Sequence, residues 1–256
     1  MKKFAPSLFI LILSAGAVCA QSAGGSPPAA NGSPAASAAS NAIPPPPAIT
    51  ANTTPLELAR AALAAQGGEK FKNLKNMWVV GSVDLYAPNS ANSIPGKFSL
   101  ITAGEKMRLD VDASPVFKFK QVYDGQQSFS SMPGVQMPPA DRYGLPVLAK
   151  YDQAGYTVTA IADKKKLRGF RIADADGYST DFFIDPTTAR VMQYLIPFNG
   201  QTFGIENSKF KEVDGILVAT SFSQRMEMAQ GAFFAEYKVK DIKLNQELGS
   251  DVFSLQ

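Results

Sequence analysis

Acid–base chemistry in this sequence would fall to its carboxylates. Asp110 and Asp112 sit at i and i+2, and Asp181 and Asp185 at i and i+4, spacings that put side chains on one face of a strand. Two carboxyls about 5 to 10 Å apart across a cleft could support glycoside hydrolysis, whereas on a wet strand face they are only solvated. The chain contains no histidine and one cysteine, Cys19. Ser-His-Asp and Cys-His nucleophile arrangements, His-ligated zinc and Cys-based zinc sites are therefore excluded. Neither GxGxxG nor a phosphate-loop GKT/GKS is present. Ser208-Lys209-Phe210-Lys211 has the letters S-x-x-K, but in a strand positions three apart point to opposite faces, so the pair does not make a serine acylase. Asp174-Ala175-Asp176-Gly177 opens like a calcium loop and lacks the remaining ligands; a hairpin turn accounts for it. Lys164-Lys165-Lys166 with Arg168 and Arg171 makes a basic patch that could touch an anionic membrane surface or simply protect a hairpin end from edge pairing. No cofactor and no metal site is expected.

The ends of the chain place these groups in a compartment. Lys2 and Lys3, the apolar run Leu8 to Leu13 and the small residues up to Ala20 form a secretory signal, with cleavage expected after Ala20. The apolar run is shorter than the ~20 residues a membrane-spanning helix needs. Gly16 and Val18 do not match a lipobox, so acylation and membrane anchoring at Cys19 is the alternative rather than the expectation. Cleavage leaves a chain without cysteine, which must be held by its core even in an oxidising periplasm. The full chain carries a net charge of +3, and loss of Lys2 and Lys3 brings it close to neutral, which argues against a nucleic-acid partner. Residues 21–53 are rich in Ala, Ser, Gly and Pro, with Pro44 to Pro47 in a row. They read as a disordered tether, either a spacer or a dispensable tail.

A single domain is expected over 54–256. Thr54 as N-cap, Pro55 at N1 and Glu57 at N3 announce a helix that Gly67-Gly68 ends. From there alternation of period two dominates. Strands are expected at Met77 to Tyr86, around Phe98 and Leu100, at Met107 to Val111, around Phe117 and Phe119, and at Ser128 to Ser130. Met132 to Pro146 is a proline-rich loop, either a lid or a plain excursion, followed by a short helix near Val147 to Gln153. A meander follows, with strands at 156–162, 166–173, 178–185, 190–197, 202–212, 216–227 and 232–244. Turns between them include Asp176-Gly177, Asn199-Gly200, Asp214-Gly215 and Gln230-Gly231. The class is mainly β, a barrel-like sheet or a sandwich. Seventeen Phe and eight Tyr, mostly in strands, could pack as a core or line a cavity inside a curved sheet.

Several of these segments, taken in order, resemble a known family. They are the capped helix ending in Ala64-Ala65-Gln66-Gly67-Gly68, Lys106-Met107-Arg108-Leu109, Val122-Tyr123-Asp124-Gly125, Phe183-Ile184-Asp185-Pro186-Thr187-Thr188, Val213-Asp214-Gly215-Ile216, and a closing Leu244-Asn245 to Phe253. This order is similar to that of the periplasmic lipoprotein carriers LolA and LolB and their outer-membrane lipoprotein-sorting relatives. The resemblance implies a strongly curved antiparallel sheet, an incomplete barrel whose concave side is covered by helices. It also implies a non-catalytic carrier of acyl chains, a lipidated protein or a similar apolar ligand that meets the membrane surface transiently and acts as a monomer. An envelope interaction module with a solid core is the alternative. The aromatic parity nominates Phe98, Leu100, Leu109, Phe117, Phe119, Phe183, Phe222 and Phe233 as cavity residues; a one-residue slip in any strand would move its residues to the other face.

Overall fold

The computed structural model describes residues 49–255, apart from 133–137 and 229–230; the side chains of 227 and 228 are also outside the description. The signal segment, Cys19, the tether up to residue 48, part of the proline-rich loop and Gln230 of the last turn therefore lie outside the described residues. The packed chain starts ahead of the helix cap. Ile49 rests on the core, and Arg168 donates to the carbonyls of Thr50, Ala51 and Thr53.

Helix α1 spans Pro55–Gln66. The Glu57 backbone N–H donates to Thr54 Oγ1 at 3.3 Å, and the Thr54 N–H donates to the Glu57 carboxylate at 2.8 Å, so two otherwise unpaired donors are satisfied reciprocally. That carboxylate is held below its usual pKa, chiefly by the Thr54 backbone hydrogen bond. The helix ends at Gly67, where φ is 126° and a Cβ would stand 2.7 Å from the Gly215 carbonyl oxygen. Only glycine allows the helix end to close against that turn. A single helical turn, α2 (Glu69–Lys72), leads into the sheet.

Twelve strands form one sheet: β1 (Met77–Tyr86), β2 (Ser93–Ala103), β3 (Lys106–Ala113), β4 (Phe117–Tyr123), β5 (Ser128–Ser130), β6 (Tyr156–Ala160), β7 (Arg168–Asp174), β8 (Ser179–Ile184), β9 (Val191–Phe198), β10 (Gln201–Val213), β11 (Ile216–Met228) and β12 (Gly231–Leu244). Their order is β5-β4-β3-β2-β1-β12-β11-β10-β9-β8-β7-β6, antiparallel throughout. Two meanders are thus joined by the first and last strands, whose register runs from Met77 opposite Leu244 to Tyr86 opposite Phe234. β5 and β6 are free edges, so the sheet does not close into a barrel. The expectation of a mainly β, incomplete barrel holds.

The sheet is nevertheless strongly bent. β3 and β9 are six places apart, and in a flat sheet they would stand roughly 29 Å from each other at about 4.8 Å per strand. Instead Met107 of β3 and Tyr194 of β9 line one cavity. Bulges help: the β1–β12 register shifts at Val80/Gly81, where a Cβ would meet the Lys238 carbonyl oxygen at 2.0 Å and the Phe98 ring at 2.8 Å.

Between β5 and β6 the chain crosses back over the concave face through a 3₁₀ turn (Ala140–Arg142) and α3 (Leu145–Leu148). This short helix begins ahead of the expected Val147, because Gly144 at φ 66° turns the chain and Pro146 is accepted in a first helical turn. α1 and α3 pack Leu58, Leu63 and Leu148 onto Phe170, Phe182 and Ile184, all 5 % exposed or less.

Candidate functional site

The concave face divides into a filled half and an open half. Over β7 and β8 the helices leave no room. Phe170 and Phe182 stack at 5.2 Å and both are fully buried. Over β1–β4 and β10–β12 only the C-terminal end of α1 reaches the sheet, through Gln66 on the Leu217 carbonyl, and the inner faces of those strands enclose an apolar cavity in two adjoining lobes.

The larger lobe holds about 190 Å³ of open space. Phe98, Leu100, Leu109 and Phe222 wall it, with Phe71 of α2, Tyr143, Leu145 and Tyr194 over the top. Phe98 meets the Tyr237 ring edge-on at 5.0 Å, and Phe222 stacks on Tyr237 at 4.6 Å. The smaller lobe, about 70 Å³, lies beyond Leu109 and is walled by Phe117, Phe119 and Phe233 together with Met132 and Met226. Leu109, Gln121, Gln224 and Tyr237 line both lobes and mark where the two adjoin. For scale, an apolar cavity of ~150 Å³ is enough to admit benzene and stay dry when empty.

Seven of the eight nominated residues are brought together in this way: Phe98, Leu100, Leu109, Phe117, Phe119, Phe222 and Phe233. Phe183 is not. Its neighbours in β8, Phe182 and Ile184, both pack under α1, so the alternation turns Phe183 to the outer face, where the Lys164 ammonium lies 5.5 Å from its ring centre. Two adjacent phenylalanines present the same pattern in either register, and only packing against α1 selects between them. Met77, Met107, Tyr143, Tyr194, Gln121 and Gln224 also line the cavity without having been nominated. Met107, Gln121 and Gln224 stand two positions from the nominated Leu109, Phe119 and Phe222 and share their parity, so alternation alone could have found them. Met77 lies in a strand with no nominated residue, and Tyr143 and Tyr194 carry no such signal.

Burial pushes the Tyr143 hydroxyl up to about 12, and those of Tyr194 and Tyr237 are raised further still, also by burial. These groups therefore stay neutral in the cavity wall.

A wider vestibule of about 400 Å³ opens from the larger lobe, sharing Phe71, Leu100, Met107 and Tyr194 with it. Here the lining turns polar, with Lys72, Lys106, Asp141 and Lys150 at the rim. Lys150 donates to the Asp141 carboxylate at 3.1 Å and to its backbone carbonyl at 3.2 Å. Burial alone would lower the Lys150 pKa, but the hydrogen bond and charge of Asp141 outweigh it and the net shift is upward. The other carboxylate oxygen of Asp141 is buried without a partner.

Asp110, Asp112, Asp181 and Asp185 each have other partners: Asp112 accepts from the Ser114 N–H at 2.9 Å and stands 3.6 Å from the Lys118 ammonium. Asp110 takes two hydrogen bonds from Arg108, at 2.6 and 3.2 Å, and Asp181 is paired with Arg171. Asp185 caps its own turn through the N–H groups of Thr187 and Thr188, both at 2.8 Å. Asp174 accepts from the N–H groups of Asp176 and Tyr178 and pairs with Arg142, which ties the β7–β8 hairpin to the 3₁₀ turn. The Ser208 hydroxyl donates to the Ser221 carbonyl at 3.0 Å. Among the described residues no cluster of three or more metal-ligating side chains occurs, and no helix is long and apolar enough to cross a membrane.

The same backbone architecture recurs among solved structures. A LolA superfamily protein from Nitrosomonas europaea is 14 % identical, with a TM-score of 0.50 over 75 % of this chain and 97 % of its own. The fold is LolA-like. A putative outer membrane lipoprotein-sorting protein domain from Vibrio parahaemolyticus is 12 % identical, with a TM-score of 0.50 over 78 % of this chain and 95 % of its own. A DUF1329 family protein from Desulfovibrio piger is 9 % identical, with the same TM-score over 78 % and 95 %. The sequence matches no protein-family model and no curated protein. The LolA-like likeness is thus one of backbone architecture, at identities where side chains are not shared.

Proposed function

We propose that this chain is an exported, non-catalytic carrier that takes an acyl chain, free or attached to a protein, into the cavity of its LolA-like sheet. The observation that carries the reading is the open apolar cavity itself, uncharged along both lobes and reached through a vestibule with a charged rim. Each CH₂ moved out of water contributes about 0.8 kcal/mol, so an apolar space of this kind can compete with a membrane for part of an alkyl chain. The polar rim, where Lys106 stands with the ion-paired Lys72 and Lys150, suits the other end of such a ligand. The fold neighbour described as lipoprotein-sorting has the same architecture, which supports a role in the sorting of lipidated cargo in the envelope. The sequence signal at residues 1–20 supplies the export step.

The test uses the full chain purified without detergent. Native mass spectrometry and organic extraction are expected to show bound lipid, and a dansyl-labelled undecanoic acid is expected to be taken up with an increase in fluorescence. Leu109→Trp, which fills the junction of the two lobes, is expected to abolish uptake while leaving the unfolding midpoint within a few degrees. Absence of both co-purified lipid and probe uptake in the unaltered chain would sink the carrier reading.

A further inference from the structure

Four amide side chains lie in the cavity wall: Gln66 and Asn207 donate to the carbonyls of Leu217 and Val191, whereas Gln121 and Gln224 stand where the two lobes adjoin. Gln121 of β4 is 8 % exposed, lines both lobes, and its carboxamide makes no hydrogen bond to any described residue. Gln224 of β11 faces the same junction. Its Oε1 accepts from the Tyr237 hydroxyl at 3.2 Å, which orients the carboxamide and leaves its N–H groups without a partner. Buried polar side chains in native proteins are hydrogen-bonded as a rule, and an unsatisfied one is destabilising relative to an apolar side chain of the same size. Leucine or methionine would fill either position at no such loss. The Gln121 carboxamide and the Gln224 N–H groups line the open space of both lobes and are placed to meet a ligand group.

The chemistry of that group is narrowed by what surrounds it. Gln224 has unpartnered N–H groups at the junction, so the ligand group includes an acceptor. No Lys, Arg, Asp or Glu lines either lobe, so the acceptor is uncharged; a carboxylate or phosphate belongs at the charged vestibule instead. Apolar space lies on both sides of the junction, so the acceptor is flanked by alkyl arms. We propose that Gln121 and Gln224 form a polar waist that hydrogen-bonds the ester carbonyl of an acyl-glycerol group, with its alkyl arms in the two lobes. This rests on the carrier reading and adds to it the class of ligand and the two residues that select it. The diacylglyceryl unit of a phospholipid and that of a lipidated cysteine share this chemistry.

Ester and ether lipids separate the waist from the cavity. Dipalmitoyl phosphatidylglycerol and its di-O-hexadecyl ether counterpart have the same headgroup and nearly the same chains, but the ether lacks the carbonyls. Displacement of the dansyl probe from the full chain is expected to show the ester bound roughly fivefold to tenfold more tightly, the scale of one net hydrogen bond. Gln121→Leu is expected to bring the two lipids to equal affinity without weakening the ether, and without lowering the melting temperature. Gln121→Met keeps the unbranched shape and serves if the leucine variant does not fold. A second arm replaces the phospholipids by a dipalmitoyl-S-glyceryl cysteine peptide and its dialkyl ether; the source is the arm with the tighter ester binding. Equal affinity of ester and ether in the unaltered chain overturns the waist and leaves the carrier reading standing. So does an ester preference that survives both Gln121→Leu and Gln224→Leu. A lower melting temperature with equal loss of both lipids shows Gln121 to be structural and also overturns it. If neither lipid displaces the probe and no lipid co-purifies, the carrier reading falls and the waist falls with it.

Discussion

The two halves of the sheet are built from the same kind of strand and end in opposite states. Over β7 and β8 the alternating apolar residues meet α1 and α3, and Phe170, Ile172, Phe182 and Ile184 are fully buried. Over β1–β4 and β10–β12 residues of the same chemical type face one another across a void, and Leu100, Leu109, Phe117, Phe119, Phe222 and Phe233 stay only partly buried. Hydrophobic patterning is the same in both. What differs is the length of helix laid on each: α1 runs through three turns on one side, whereas the other receives only its last residue, Gln66, with one turn of α2 and the chain after β5. A LolA-like sheet thus becomes a solid core or a container according to how far its helices reach.

The comparison is broken most severely by a deletion in the filled half. Phe182→Ala is expected to cost about 3–5 kcal/mol in denaturant unfolding, since it removes a fully buried ring stacked on Phe170 and leaves a cavity where none existed. Leu109→Ala, in the open half, is expected to cost less than about 2 kcal/mol, because one side of Leu109 already faces empty space. A comparable loss from both would deny that the halves differ.

Adding volume gives the reverse contrast with smaller numbers. Val147→Phe overpacks a site that is 2 % exposed and should cost about 1–3 kcal/mol. Leu109→Phe should cost less than about 0.5 kcal/mol while cutting acyl-probe uptake, since the ring can enter the void. Calorimetry and probe titration on both variants decide between the two outcomes.

Smaller again is the capping box that anchors α1 over the filled half. Thr54→Ala is expected to lower stability by about 1 kcal/mol and leave probe affinity unchanged. A change in affinity would show that the helix also governs the open half.

The least effect is expected from the buried tyrosines. Their folded-state pKa values lie above the ordinary 10, that of Tyr143 at about 12, so the folded chain holds protons that the unfolded chain releases. The stability they contribute is complete below pH 10 and declines as pH rises through 10 toward 12. Circular dichroism should show alkaline unfolding in that window, and Tyr143→Phe should move its midpoint up by a fraction of a pH unit. A midpoint that moves down instead would mean that the Tyr143 hydroxyl supports the fold through a bond stronger than its 4.0 Å approach to Met107 Sδ.

Much of the scaffold was legible before folding because its causes are local. Thr54, Glu57 and Gly67 mark the ends of α1 through hydrogen bonds to backbone groups within a few residues. Met77–Tyr86 was readable to the residue because alternation needs no partner to be seen. Asp185-Pro186 and Asp214-Gly215 mark their turns through side-chain capping and a positive φ, again locally. The site was legible only as parity. Where a strand had one aromatic per face, as at Phe98 or Phe222, parity was enough to place it in the cavity wall. At Phe182-Phe183 it was not, because both letters are the same and α1 makes the choice.

The sequence by itself determined that this chain carries a capped helix, a long run of antiparallel strands and no histidine- or cysteine-based chemistry, since each follows from residue type and spacing over short distances. Only the tertiary structure decided that β1 pairs with β12, that Arg108 and Arg171 occupy Asp110 and Asp181, and that Gln121 and Gln224 line both lobes of an apolar void. The reason is physical. A turn or a cap is satisfied by neighbours in the chain, whereas a cavity is a deficit of volume among side chains contributed by strands from both ends of the sequence.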